Sequence, residues 1–144
     1  MTAADVTTVA QRVRASLLAR TGLPRDLAGQ CGLASMLVAD AVGDPGVLRV
    51  GFYMKQTTFL GRRGRYPHRH AWCQVGSVIV DATATQFGKT HRAVHVAIAS
   101  GDDRYLETAD SRDAVDDIMA NWRGRELPEY ARLARRLRRH LRRP

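Results

Sequence analysis

The chain lacks most of the features that would assign it to a class at once. No segment approaches the roughly 20 apolar residues of a membrane span. The opening residues have no basic stretch, apolar run and small-residue cleavage site of the kind that marks a secretory signal. Cytoplasmic residence is therefore the default expectation, with export by a dedicated secretion system left open. Only 2 cysteines occur in 144 residues, too few for a disulfide framework, so each is either core filler or chemistry. Aromatic residues make up 6%, and internal repeats and low-complexity linkers are missing. What is present, 44% hydrophobic residues in a chain of 144, excludes wholesale disorder and fits one domain, 1–144, with one core.

Lysine is scarce as well. Of 23 basic residues only Lys55 and Lys89 are lysines, and the formal charge is +9. Residues 125–144 hold eight Arg and two Glu, a net +6, which leaves +3 for the first 124 residues. In that last segment Leu127, Tyr130, Leu133, Leu137 and Leu141 recur at three- and four-residue spacing, predicting a basic amphipathic helix at about 127–143. Its apolar stripe suits packing on the domain, and its Arg face suits solvent or an acidic partner. Nucleic acid is the less favoured partner, because an acidic stretch from Asp102 to Asp117 interrupts any uniform basic face.

The remaining pattern changes period once. Val6, Val9, Ala10, Val13, Leu17 and Leu18 form a helical stripe ending near Thr21 and Gly22. A second helix is predicted at about 30–42, closed by Gly43 and Pro45. Residues 47–54, 71–75, 78–82 and 93–99 are rich in Val, Ile and aromatics and read as strands. A helix at about 111–122 and the basic one follow. This order predicts an α+β fold with an antiparallel sheet rather than a βαβ repeat.

Two local features carry chemistry. Cys31 falls at the start of the second helix, where unpaired N–H groups and the macrodipole favour a thiolate and offer donors to an oxyanion. Packing as a buried free cysteine is the alternative reading of this residue alone. The second feature is the segment from His70 to Thr83, in which Gly76-Ser77 makes a two-residue hairpin turn. That register pairs Val75 with Val78, Trp72 with Asp81 and His70 with Thr83. His70, Trp72 and Asp81 then share a face, with His70 and Asp81 diagonal neighbours about 7–8 Å apart at Cα. Cys73 falls on the opposite face with Val75, Val78 and Val80 and reads as core. A thiol with a His oriented by an Asp is the set needed for nucleophilic acyl transfer: Cys31 attacks, His70 carries the proton and Asp81 fixes the imidazole. The Cys31 N–H, helped by Gln30, would hold the oxyanion.

Gly-Gln-Cys at a helix start, His-Ala-Trp and then Val-Asp-Ala-Thr resemble the core of the transglutaminase-like superfamily within the papain-like fold. The resemblance covers about 30–87. It implies a Cys31-His70-Asp81 triad and a cysteine-dependent acyl-transfer enzyme acting on an amide of a protein or peptide. Gly32 stands where transglutaminases commonly carry an aromatic, and the His-to-Asp connection is short. Both favour a compact peptidase or glutamine deamidase, with transamidation as a further outcome.

Trp72 beside the triad, and Arg62, Arg63 and Arg65 in a stretch read as a loop on the rim, are the expected substrate-binding residues, the arginines for an acidic or phosphorylated group. His68, His70 and Asp81 would be the candidate metal ligands, but the Arg-rich surroundings oppose a cation. Neither metal nor cofactor is expected. The rival from another class is a non-catalytic basic adaptor that binds an acidic partner or nucleic acid through the last helix.

Overall fold

The structure, a computed structural model, describes residues 1–19, 24–88, 91, 93–124 and, in the C-terminal segment, 132, 135 and 139. The basic helix expected at about 127–143 lies almost wholly outside the described residues, and with it the feature on which the adaptor reading depends. Among the described residues the fold is α+β: three α-helices and a five-stranded antiparallel sheet.

Helix α1 (Ala3–Leu18) starts at a capping box, in which the Thr2 side chain accepts from the Asp5 N–H while the Asp5 carboxylate accepts from the Thr2 N–H. It ends before the Thr21-Gly22 stop read from the sequence. Helix α2 (Cys31–Val42) ends at Gly43 with φ 74°, a left-handed closure. Strand β1 (Leu48–Phe59) pairs with β2 (Arg62–Val75), β2 with β3 (Val78–Asp81), β3 with β4 (His95–Ile98), and β5 (Tyr105–Glu107) with the other edge of β1. The order is β4-β3-β2-β1-β5. Helix α3 (Ser111–Gly124) follows β5.

One expectation is corrected. The stretch 60–69, read as a loop, is strand from Arg62 on, paired with β1 from Phe59↔Arg62 onward. The reason is the two-residue turn Leu60-Gly61, where both residues have positive φ (50° and 76°). That is the type I′ geometry whose twist matches a hairpin, and it folds an arginine-rich segment of low strand propensity back along Thr57, Thr58 and Phe59. Strand β5 was also not anticipated.

The sheet divides the core in two. Helix-side residues Val9, Val13, Leu17, Leu33, Leu37 and Val38 pack on Leu48, Val50, Ala71, Cys73 and Val80. On the other face Tyr53, Trp72, Ile79 and Tyr105 form a smaller aromatic cluster, with Phe87 and Ala99 against it. Strand alternation sorts the two sets. Gly51 sits where β5 crosses closest: a Cβ there would fall 2.0 Å from the Leu106 carbonyl oxygen. Gly51→Ala should therefore push β5 outward and destabilise the fold by about 1–3 kcal/mol, read as a lower urea midpoint at unchanged slope.

Candidate active site

The segment before α2 is shaped to present its first residue. Leu27 (φ 57°) and Gly29 (φ 77°) both take left-handed backbone. A leucine there is costly, and its side chain, fully buried in the helix-side core, holds it in place. The Ala28 N–H donates to Asp26 Oδ1 at 3.0 Å and the Gln30 N–H to the Leu27 carbonyl at 3.0 Å. Gln30 is the N-cap and makes no side-chain capping bond, so Cys31 opens the helix with the first-turn N–H groups beside it. Cys31 is half-buried.

His70 and Asp81 arrive from adjacent strands. The register Val75↔Val78, Gln74↔Ile79, Cys73↔Val80 is the one read from the sequence. Gly76 has positive φ (57°) and Ser77 does not, a type II′ pattern. His70 Nε2 lies 2.6 Å from Asp81 Oδ2, and both side chains are fully buried. Asp81 accepts more: the Thr83 N–H at 2.9 Å and hydroxyl at 3.3 Å on Oδ1, and the Tyr105 hydroxyl at 2.7 Å on Oδ2. Burial works against its ionisation, but His70 and these donors hold its carboxyl below the usual range.

The third group comes in at the edge. Strand β3 ends at Asp81, so among the described residues the β2 backbone before Trp72 has no strand neighbour on that side. There the Cys31 thiol meets the Ala71 N–H and the His70 ring. Burial pushes the thiol up, but the hydrogen bond and charge of His70 and the Ala71 N–H bring it below its ordinary value. His70 is raised to about 9: burial opposes its charge, and Asp81, by charge and hydrogen bond, then Cys31, outweigh burial. Nδ1 of His70 is buried and makes no hydrogen bond, and besides Asp81 the group that acts on the ring is the Cys31 thiol. No protein-family model, curated protein or solved structure matches the chain.

The other expected residues are placed as follows. Trp72 is 1% exposed and lies behind His70, its ring 6.1 Å away and near-parallel; it is a wall of the imidazole pocket rather than a surface for substrate. Arg62, Arg63 and Arg65 are exposed on β2, and Arg65 binds Asp103 at 3.1 Å. Gln30 is half-buried beside the thiol's backbone. Cys73 is core, its Sγ 3.5 Å from the Ser35 carbonyl and its thiol raised by burial. Among the described residues no group of three His, Cys, Asp or Glu could hold a metal ion.

Sequence reading missed three supporting residues. Thr83 follows Asp81 at the Asx-turn spacing, a signal that was legible. Tyr105 stands 24 residues from Asp81 in the chain and gave none. Arg14, buried on α1, donates to the Ala82 carbonyl at 2.8 Å and pins the chain just past Asp81.

Two outcomes follow from this geometry. Tyr105→Phe removes a donor from a buried carboxylate and should cost about 1–3 kcal/mol, with the Asp81 carboxyl, which the Tyr105 hydroxyl helps hold down, moving up when followed by carboxyl NMR. In Cys31→Ala the folded His70 still binds its proton more tightly than the unfolded imidazole with its ordinary value of 6.5. That contribution to stability is fully present below about pH 6.5 and should be lost as pH rises above it, the loss being complete short of the parent's value of about 9 because the part Cys31 contributes to that value is gone; denaturation midpoints across this range measure it.

Proposed function

We propose that the chain is a thiol acyl-transfer enzyme acting on an amide of a protein or peptide, with a papain-like, transglutaminase-like core and a Cys31-His70-Asp81 triad. One relation carries the reading: a single buried imidazole has Nε2 2.6 Å from a buried carboxylate, a second nitrogen with no hydrogen-bond partner, and the Cys31 thiol acting on the same ring. The large majority of buried side-chain nitrogens have a partner, so the open Nδ1 sets this histidine apart from one that serves structure alone. The opposed shifts, Cys31 down and His70 up, are those of a thiol and an imidazole that each favour the other's charged form.

In this mechanism Cys31 Sγ adds to the amide carbonyl and forms a C–S bond. The oxyanion is met by the Cys31 backbone N–H and, as second donor, the Gln30 side chain. His70 delivers the proton from Nδ1 to the departing nitrogen, the C–N bond breaks, and a thioester remains. Water then attacks, His70 takes its proton, and the C–S bond breaks to release a carboxylic acid and restore the pair. A backbone amide makes this a peptidase; a glutamine side chain makes it a deamidase. An amine in place of water gives transamidation. Asp81 keeps the imidazole oriented and its charge stabilised throughout.

Incubation with a glutamine-containing peptide library, read by mass spectrometry for cleavage or a gain of one mass unit, gives the assay. Cys31→Ala should abolish product, and His70→Ala and Asp81→Asn should lower it by about two to four orders of magnitude, with circular dichroism unchanged. Equal turnover in all four proteins would remove the triad.

A further inference from the structure

The edge that admits Cys31 is longer than the thiol needs. Cys73 and Val75 turn their backbone groups to β3, and the Ala71 N–H turns the same way to the thiol. In an antiparallel ladder, residues of one parity point to one side, so Arg63, Arg65, Pro67 and Arg69 present their backbone groups along that edge. β3 stops at Asp81, and among the described residues no strand pairs with this row. Pro67 fits it, since its missing N–H would have pointed outward and not into the β1 ladder. At about 3.4 Å per residue the row runs roughly 27 Å from Arg63 to Ala71. It ends on the thiol.

The charge along this row has one sign. Residues 54–69 contain Lys55, Arg62, Arg63, Arg65 and Arg69 and no acidic residue. Arg65 is held by Asp103 and Arg69 lies 3.7 Å from Asp110; Lys55, Arg62 and Arg63 have no acidic partner among the described residues. Charge and proline also blunt an edge against aggregation. That role does not require the edge to lead into a buried Cys-His pair.

We infer that the free edge of β2 is a docking track on which an acidic, extended polypeptide adds as a further strand and so carries its reacting amide to Cys31. Main-chain hydrogen bonds give the affinity and acidic side chains beside Arg62 and Arg63 give the selectivity. The inference rests on the thiol acyl-transfer reading for its chemistry, while strand addition can be tested without turnover.

The probe is a fluorescent peptide of alternating Glu and Thr, about 12 residues long to cover the row, titrated into the full chain carrying Cys31→Ala. It should bind at least about tenfold more tightly than its Lys-Thr counterpart, and Arg62→Glu with Arg63→Glu should reverse that preference. Amide exchange followed by NMR should slow at Arg63, Arg65 and Arg69 in the complex. The track is overturned by any of three results: no binding up to about 1 mM, binding without protection of those amides, or tighter binding of a single-stranded oligonucleotide of equal charge. Ordinary-thiol alkylation of Cys31 in the parent chain, alongside protected amides in the complex, would remove the chemistry and leave the track. An activated Cys31 with unprotected amides would do the reverse.

Discussion

A buried carboxylate governs the arrangement. Asp81 closes the short β3 strand at 1% exposure, and an ion taken that far from water is tolerated only if its lone pairs are met. Four donors meet them: His70, Tyr105 and both the N–H and hydroxyl of Thr83. They come from three structural sources. His70 is on β2, Tyr105 on the β5 edge beyond β1, and Thr83 in the turn that follows Asp81. Arg14 of α1 fixes the Ala82 carbonyl next to it. The carboxylate thus ties sheet, edge strand, turn and helix to one point, and His70 takes its orientation from there.

The unequal lengths of the strands then decide what reaches the imidazole. β2 runs 14 residues and β3 only 4, so the edge of β2 opens where β3 ends. Helix α2 packs on β2 from the helical side with Cys31 as its first residue. Because the chain enters through left-handed Leu27 and Gly29, the thiol comes to the strand edge at the margin of the apolar layer, half-buried against the helix-side core. Cys73 shows the contrast: three residues after His70 on β2 it is sealed in the core and its thiol is pushed up, while Cys31 beside His70 is brought down.

Much of this was legible because its determinants are local. Gly76-Ser77 fixes a two-residue turn, the turn fixes the register, and the register brings His70 to Asp81. Gly43 and Pro45 close α2 and so mark its length. What was not legible depends on partners distant in the chain. Arg62 to Arg69 has weak strand propensity and becomes strand because the Leu60-Gly61 turn lays it against β1. Tyr105 reaches Asp81 only after β5 docks on the far side of β1. Trp72 sits on the predicted face, but the aromatic cluster that buries it is assembled from β1, β5 and residues after β3. The assignment of the arginines to a rim loop failed for the same reason, and their place on a strand gives them a direction toward the thiol.

The central claim is that Cys31 is held as a thiolate by His70. The pH dependence of iodoacetamide alkylation of Cys31, resolved from Cys73 by peptide mapping and compared between the parent and His70→Ala, tests it most directly. The account predicts rapid alkylation well below pH 9.0, the ordinary thiol value, with the profile moving up in His70→Ala. A rate that climbs through 9.0 like an ordinary thiol, identical in the two proteins, would contradict it.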